Sequence, residues 1–348
     1  MEQNIAKSAQ DHEQGKLNRR QLMKSLALMA TAASTASLTP SSAVAETRLR
    51  GIGINHVALD LYQYDLMKLR DFYTDILGMQ LGQGINASTH TTTVCRLQCG
   101  NEFIYIRNGA HKPPKYPRPT PALDHIAMTI EPWEDREDQL TIHGAPTVAA
   151  ELSRRKIELM TDTRDVMFKD PFGFNIQVVG RYRDPSDEYK VVDANPNAGT
   201  RLKVVGINHV ALDVNEYDLS ALHEFYTEML GLPVAQGINE STHSTTVCRI
   251  QSGDKFVYIR NAAHQPPKYP RPTPSLDHIA LAVEPWESAE DQLTIHGAPT
   301  VAGELKRRGI ELFPNTRDVM FKDPYGFNIQ LVGKNYNPAA EYKVFEGK

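Results

Sequence analysis

A chain of 348 residues, 41% hydrophobic and 23% charged, has room for two globular domains of about 150 residues and fits neither the disordered nor the membrane class. Its formal charge is −4, and residues 46–348 carry 33 Lys/Arg against 39 Asp/Glu, a formal −6, which argues against nucleic acid as a partner. Three cysteines, Cys95, Cys99 and Cys248, are too few and too odd in number for a disulfide framework and read as small apolar residues.

The first element in chain order is a leader. Residues 18–24, Asn-Arg-Arg-Gln-Leu-Met-Lys, precede a mild apolar run from Ser25 to Leu38 and then Ala43-Val44-Ala45. The pattern resembles a twin-arginine signal with an A-x-A cleavage site, and predicts a signal peptide over 1–45, export to the periplasm or beyond, and a mature start near Glu46. The apolar run is shorter than the roughly 20 residues that span a bilayer, so no stable membrane insertion is expected.

Everything after the leader is written twice. From Gly53 onward, adding 153 to a residue number lands on its counterpart without a gap: His56 and His209, Cys95 and Cys248, His125 and His278, Gln177 and Gln330. Solenoid repeats run about 20–50 residues, so this period marks a duplicated domain. We divide the chain into a first domain over 46–192, a linker over 193–203 rich in turn formers, and a second domain over 204–348. Such a chain pairs its two domains internally as a monomer, or forms a homodimer.

Within each copy, "INHVALD" at 54–60 has the shape of "LDHIAMT" at 123–129, so each domain is built of two half-units. In the first half, alternation predicts a strand over Ile54–Asp60, and amphipathic spacing predicts a helix from Leu66 to Leu77 ended by Gly78. A short strand follows near Gln80–Ile85, then strands near Thr91–Gln98 and Glu102–Arg107 around a turn at Cys99-Gly100-Asn101. The second half offers a strand at His125–Ile130, a helix near Glu137–His143 or Ala149–Lys156, and strands at Asp165–Lys169 and Phe174–Val179 around the turn Asp170-Pro171-Phe172-Gly173. Between the halves, His111–Pro121 and its twin His264–Pro274 are proline-rich and stiff: a spacer, or a rim with Lys115, Tyr116 and Arg118 over the site. The class is α+β.

A His in the first strand, the "FYTDILGM" helix end at 72–79, a second His opening the next half-unit and "DPFGFNIQ" at 170–177 together resemble the vicinal-oxygen-chelate superfamily, which includes glyoxalase I, extradiol dioxygenases and bleomycin-resistance proteins. The resemblance covers most of 52–180 and again 205–333. It implies paired βαβββ modules curled into a half-open barrel around a divalent metal ion, Fe(II) foremost, with Mn, Ni, Cu or Zn as alternatives. Carried over by position, it implies metal ligands at His56, His125 and Gln177, and at His209, His278 and Gln330, with Tyr105 and Tyr258 as additional ligands.

Glutamine at 177 and 330 departs from the carboxylate usual there. A neutral amide leaves the cation its full charge and favours a substrate that brings its own anionic oxygens. Two imidazoles with one oxygen donor otherwise resemble the open sites of non-haem iron oxygenases. His90 and His243, in "STHTTTVCR" and "STHSTTVCR", are candidates for proton transfer, and Arg96, Arg107, Arg249 and Arg260 for neutralising an anionic substrate. The expected partner is a small oxygenated molecule, aromatic or not: an enediolate, a catecholate or a 2-oxo acid. The resemblance implies extradiol-type dioxygenation first, glyoxalase-like isomerisation second, and bleomycin-resistance-like sequestration without turnover third.

Overall fold

The structure is a computed structural model that describes residues 50–88, 91–108, 122–131, 146–161, 165–180, 186–200, 202–238, 246–261, 274–284, 299–314 and 319–347. The leader, the proline-rich segments, His90 and His243 lie outside the described residues.

Each repeat forms one mixed sheet of eight strands. In the first, the chain runs through β1 (Arg50–Leu61), β2 (Gln80–Gly84), β3 (Val94–Cys99), β4 (Glu102–Asn108), β5 (Ala122–Glu131), β6 (Val166–Lys169), β7 (Asn175–Gly180) and β8 (Tyr189–Val192). Their order across the sheet is β6-β7-β5-β1-β4-β3-β2-β8. The second sheet repeats this as β14-β15-β13-β9-β12-β11-β10-β16, from β9 (Val204–Val214), β10 (Val234–Gly237), β11 (Val247–Ser252), β12 (Lys255–Asn261), β13 (Ser275–Val283), β14 (Val319–Lys322), β15 (Asn328–Gly333) and β16 (Tyr342–Val344). The two half-units of a repeat meet where β1 pairs antiparallel with β5, and each half closes with a parallel pair, β1 with β4 and β5 with β7.

Side chains alternate along a strand, so each sheet has two chemically distinct faces. One carries Val57, Leu59, Ile104, Ile106, Leu97 and Ile126 into the main core. The three cysteines are free and buried, as expected of small apolar residues. The other face gathers Ala58, Phe103 and Tyr105, with Ala211, Phe256 and Tyr258 as its copy. This second face is the inner face of the half-open barrel, its cup.

The predicted first helix begins at Leu66 as α1 (Leu66–Leu69), with the Asp65 carboxylate accepting from the Met67 and Lys68 amides, and passes into a π-helical stretch, Arg70–Thr74. A π-helical turn is an uncommon device that widens the helix, and it aims Phe72 and Tyr73 inward. The second half-unit contributes α2 (Pro146–Arg154), close to the second of the two alternative placements, Ala149–Lys156; the first, at 137–143, lies outside the described residues. The second repeat mirrors these as α3 (Leu219–Leu222), with π-helical His223–Met229, and α4 (Pro299–Arg307). Strands β8 and β16 were not anticipated. The tails of the repeats, Glu188–Val191 and Glu341–Val344, turn back to pair with β2 and β10.

The repeats pack on each other through reciprocal contacts. Tyr73 donates its hydroxyl to Asp323 Oδ2 at 2.6 Å, and Tyr226 donates to Asp170 Oδ2 at 2.6 Å. Arg155 Nη1 donates to the Glu228 carbonyl at 2.7 Å, and Arg308 Nη1 to the Asp75 carbonyl at 3.1 Å. The arginines thus serve carbonyls near the end of the partner repeat's first helix, groups that would otherwise lack donors.

Candidate functional site

Two irregularities in β1–β5 pairing build the site. The register slips between Ile54 and His56 and again between Ala58 and Leu59. The strand register steps over Asn55 on β1 and Asp124 on β5 at these points. A bulge turns its extra residue out of strict alternation and re-aims it. Asn55 therefore does not point away from His56, as alternation alone predicts. Its Oδ1 lies 2.8 Å from His56 Nδ1, and Asp124 Oδ2 lies 2.7 Å from His125 Nδ1. The copy is faithful: Asn208 Oδ1 is 2.8 Å from His209 Nδ1, and Asp277 Oδ2 is 2.8 Å from His278 Nδ1.

These contacts fix the tautomers. An amide oxygen and a carboxylate both accept, so each Nδ1 carries the hydrogen and each Nε2 presents a lone pair. The two Nε2 atoms converge, 2.9 Å apart for His56 and His125 and 3.0 Å for His209 and His278. Two lone pairs that close repel unless a shared proton or a metal cation lies between them. At metal–nitrogen distances of about 2.1 Å, two ligands at a right angle about one cation stand about 3.0 Å apart. The pair therefore fits a divalent cation, and both histidines have the outer-shell acceptors that metal-bound imidazoles generally use.

Burial reinforces the neutral state. His209 is held well below the usual imidazole range by desolvation first and by the neighbouring His278 second. Phe256 stacks on its ring at 5.6 Å and Tyr258 meets it edge-on at 4.7 Å; Phe103 and Tyr105 do the same for His56, at 5.5 and 4.7 Å.

The register aligns the third candidate. His56 sits opposite Ala127 on β5, and Ala127 opposite Gln177 on β7. With only a methyl group between them, the buried His56 and Gln177 face the same space. The row His209, Ala280, Gln330 repeats it, and Gln330 is hydrogen-bonded to His209. Among the described residues no group of three or more His, Cys, Asp or Glu forms a metal-binding cluster, so the donors assembled here are two imidazoles and a carboxamide. Tyr258 lies against His209, and burial raises its phenol well above the ordinary value.

The arginines divide into two kinds. Arg107 forms ion pairs with Asp124 and, at 3.3 Å, with Asp60; Arg260 does so with Asp277 and, at 3.3 Å, with Asp213. These two are engaged with the acids that orient His125 and His278, rather than standing free for substrate as the sequence had suggested. Arg96 and Arg249 lie instead on the aromatic floor, their guanidinium carbons 4.3 Å from the Phe103 ring and 5.2 Å from the Phe256 ring. Sequence reasoning missed Asn55, Asp124 and their copies as part of the site. The signal was available: both histidine-bearing strands place a hydrogen-bonding residue directly before the His, as Asn-His and Asp-His, in both repeats.

Comparison with known proteins agrees with this architecture. The signature of the Glyoxalase/Bleomycin resistance protein/Dioxygenase superfamily matches residues 53–178 and again 206–331. The chain belongs to that superfamily and carries two of its domains in tandem. No curated protein sequence matches it. Among solved structures it resembles a Mn(II)-bound glyoxalase from Novosphingobium aromaticivorans, at 16% identity and a TM-score of 0.50 over 83% of this chain and 84% of that one. The 2,3-dioxygenase LapB from Pseudomonas sp. KL28 gives 14% and 0.52 over 85% and 97%. An extradiol ring-cleaving dioxygenase from B. fuscum gives 15% and 0.51 over 85% and 76%. At such identities the likeness is one of fold.

Proposed function

We propose that the protein is an exported metal-dependent enzyme whose two cups each chelate a small molecule through vicinal oxygens, with extradiol-type dioxygenation as the leading chemistry. The observation that carries this reading is the convergence of two Nε2 lone pairs at cis-ligand spacing in both repeats. The relatives whose names specify a 2,3-dioxygenase or an extradiol enzyme support the choice of chemistry. Export rests on the twin-arginine pattern of the leader.

In this reading His56 and His125 hold the cation through Nε2, and Gln177 offers its amide oxygen; His209, His278 and Gln330 do so in the second repeat. A bound divalent ion, with Fe(II) preferred, supplies Lewis acidity that favours the ionised form of a chelating diol. Asn55 and Asp124 hold the imidazoles in the required tautomer. Arg107 is shared between Asp124 and Asp60, so it offsets part of the negative charge of the acid that orients His125. Phe103 and Tyr105 exclude water from one side of His56. Because Gln177 brings no charge, the anionic oxygens of the substrate complete the neutralisation, and substrate and cation bind cooperatively. His90 and His243 are assigned proton transfer on sequence grounds alone.

A second reading has its own observation. The amide stands in place of the expected carboxylate in both repeats, which suits a protein that sequesters its ligand without turning it over. Oxygen uptake by the Fe(II)-supplemented protein with a panel of catechols separates the two. Consumption of oxygen with a ring-opened product supports the enzyme; diol binding with no oxygen consumed supports sequestration.

A further inference from the structure

Of the arginines that the sequence offered for an anionic substrate, Arg249 stands apart. It lies on β11 opposite Tyr258, is only 8% exposed, and rests on Phe256 and Tyr342, with its guanidinium carbon 5.2 Å from each ring. Its one hydrogen bond among the described residues is a long one, from Nη1 to Asn337 Oδ1 at 3.4 Å, and its buried Nε has no acceptor there. No carboxylate of the described residues lies within ion-pair reach of it. The contrast with Arg260 on the next strand is direct: that guanidinium bonds to Asp277 and Asp213.

A buried guanidinium without a counter-ion is costly, and cation–π contacts offset only part of the cost. Phe256 stacks on His209 and also carries Arg249, so the cation and the imidazole pair are separated by one aromatic side chain along the cup floor. We infer that Arg249 is an anion subsite, and that the substrate of this cup is a small aromatic acid with vicinal oxygens at one end and a carboxylate toward the other. The subsite deepens the proposed chelation reading and rests on it for the vicinal oxygens alone. Planar, bidentate recognition of a carboxylate is what a guanidinium provides and an ammonium does not. Arg96 occupies the equivalent place on β3 in the first repeat.

Calorimetric titration of the full-length protein tests this, in an Arg96→Gln background so that the signal reports the second repeat. The probes are benzoate and its neutral analogue benzamide, then 3,4-dihydroxybenzoate and catechol with Mn(II) present. Benzoate should bind at least about tenfold tighter than benzamide, the scale of one charge-assisted contact. That preference should vanish in Arg249→Gln, persist in part in Arg249→Lys, and survive His209→Ala. Equal affinity for benzoate and benzamide, or a preference unchanged by Arg249→Gln in a variant that melts as the parent does, would overturn the subsite. Should Arg249→Gln fail to fold, the parent decides through the benzoate-to-benzamide ratio and Arg249→Lys through its partial loss. Benzoate selection without any Mn(II)-dependent gain for 3,4-dihydroxybenzoate leaves the subsite standing and defeats the chelation reading instead.

Discussion

Glu102 and Lys255 are the same position in the two repeats, and they meet each other: Lys255 Nζ lies 3.7 Å from Glu102 Oε1. Two identical copies packed in this way would set like charges against each other. Opposite charges at one duplicated position therefore favour pairing between unlike repeats of one chain. Glu102 is further occupied by the Ile207 amide, which donates to its Oε2 at 3.2 Å.

Lys255→Glu should accordingly lower stability by roughly 2 kcal/mol, between the cost of breaking an exposed pair and a buried one. The exchange Glu102→Lys with Lys255→Glu should recover only part of that loss, because Lys at 102 cannot accept from the Ile207 amide and Glu at 255 would face Asp254. Urea unfolding of the two variants beside the parent measures both effects, and a swap no better than the single change would show that the pair contributes nothing.

The buried phenol–carboxylate bonds between the repeats make a second prediction. Tyr73→Phe leaves a desolvated carboxylate on Asp323 short of a donor and should cost about 1–3 kcal/mol, with Tyr226→Phe equivalent through Asp170. Burial raises both acids above their ordinary value of 3.8, and the tyrosine hydrogen bonds work against that rise. An acid whose folded pKa is raised contributes stability that is fully present below 3.8 and is lost as pH climbs through the folded value. The cost of Tyr73→Phe should therefore be larger at pH 7 than at pH 3, a difference that paired melting curves would reveal or refute.

Acid of the opposite sign sits on α2 and α4. Hydrogen bonds from Arg307 and Arg308 hold Glu304 at about 2, and those from Arg154 and Arg155 hold Glu151 at about 2, against an ordinary 4.5. Their contribution is present above 4.5 and disappears as pH falls through about 2. Glu304→Gln should flatten the fall of the melting temperature between pH 5 and pH 2. It should also loosen the hold of Arg308 on the Asp75, Ala198 and Gly199 carbonyls. A melting profile parallel to the parent's across that range would contradict the assignment.

The tight β3–β4 and β11–β12 turns, each packed against the other repeat, supply a fourth prediction. Gly100 and Gly253 both have φ of +63°, and a Cβ at either would stand 2.1 Å from a backbone oxygen of the other repeat, Val205 or Ile52. Each contact is backbone against backbone, so neither side can yield cheaply. Gly100→Ala should cost about 2–4 kcal/mol through strain and displacement together, read by chemical unfolding; a loss under about 0.5 kcal/mol, the scale of an ordinary surface substitution, would refute it.

Much of this was legible in the chain itself, for physical reasons that differ by element. Alternation over Ile54–Asp60 and His125–Ile130 announced strands that bury one face on a core, and the duplication showed that both histidines recur together. The turns at Gly100 and at Asp170–Gly173 were marked by residues suited to them. Asn55 and Asp124 were hidden because a bulge breaks the very alternation used to orient side chains. Arg107 read as a substrate cation because its partners, Asp60 and Asp124, come from separate strands. Strands β8 and β16 were obscure because short polar tails declare no period. The Tyr73–Asp323 and Tyr226–Asp170 bonds join residues 250 and 56 positions apart, and no local pattern encodes them.

The outer shell of the proposed centre gives a fifth prediction. Asp124→Asn keeps the shape beside His125 but removes the charge that orients its Nδ1 hydrogen, and should weaken divalent-metal affinity about 10- to 100-fold in the first repeat while sparing the second. Competition with a chelating dye reads the two sites separately, and unchanged affinity would remove Asp124 from the account.

Metal content tests the central claim most directly. Protein dialysed against a divalent metal and measured by elemental analysis should hold about two equivalents per chain, dropping to about one in His56→Ala and one in His209→Ala and to none in the double variant, as expected of two independent two-imidazole sites. Parent protein that retains no metal, or single variants that retain as much as the parent, would contradict it.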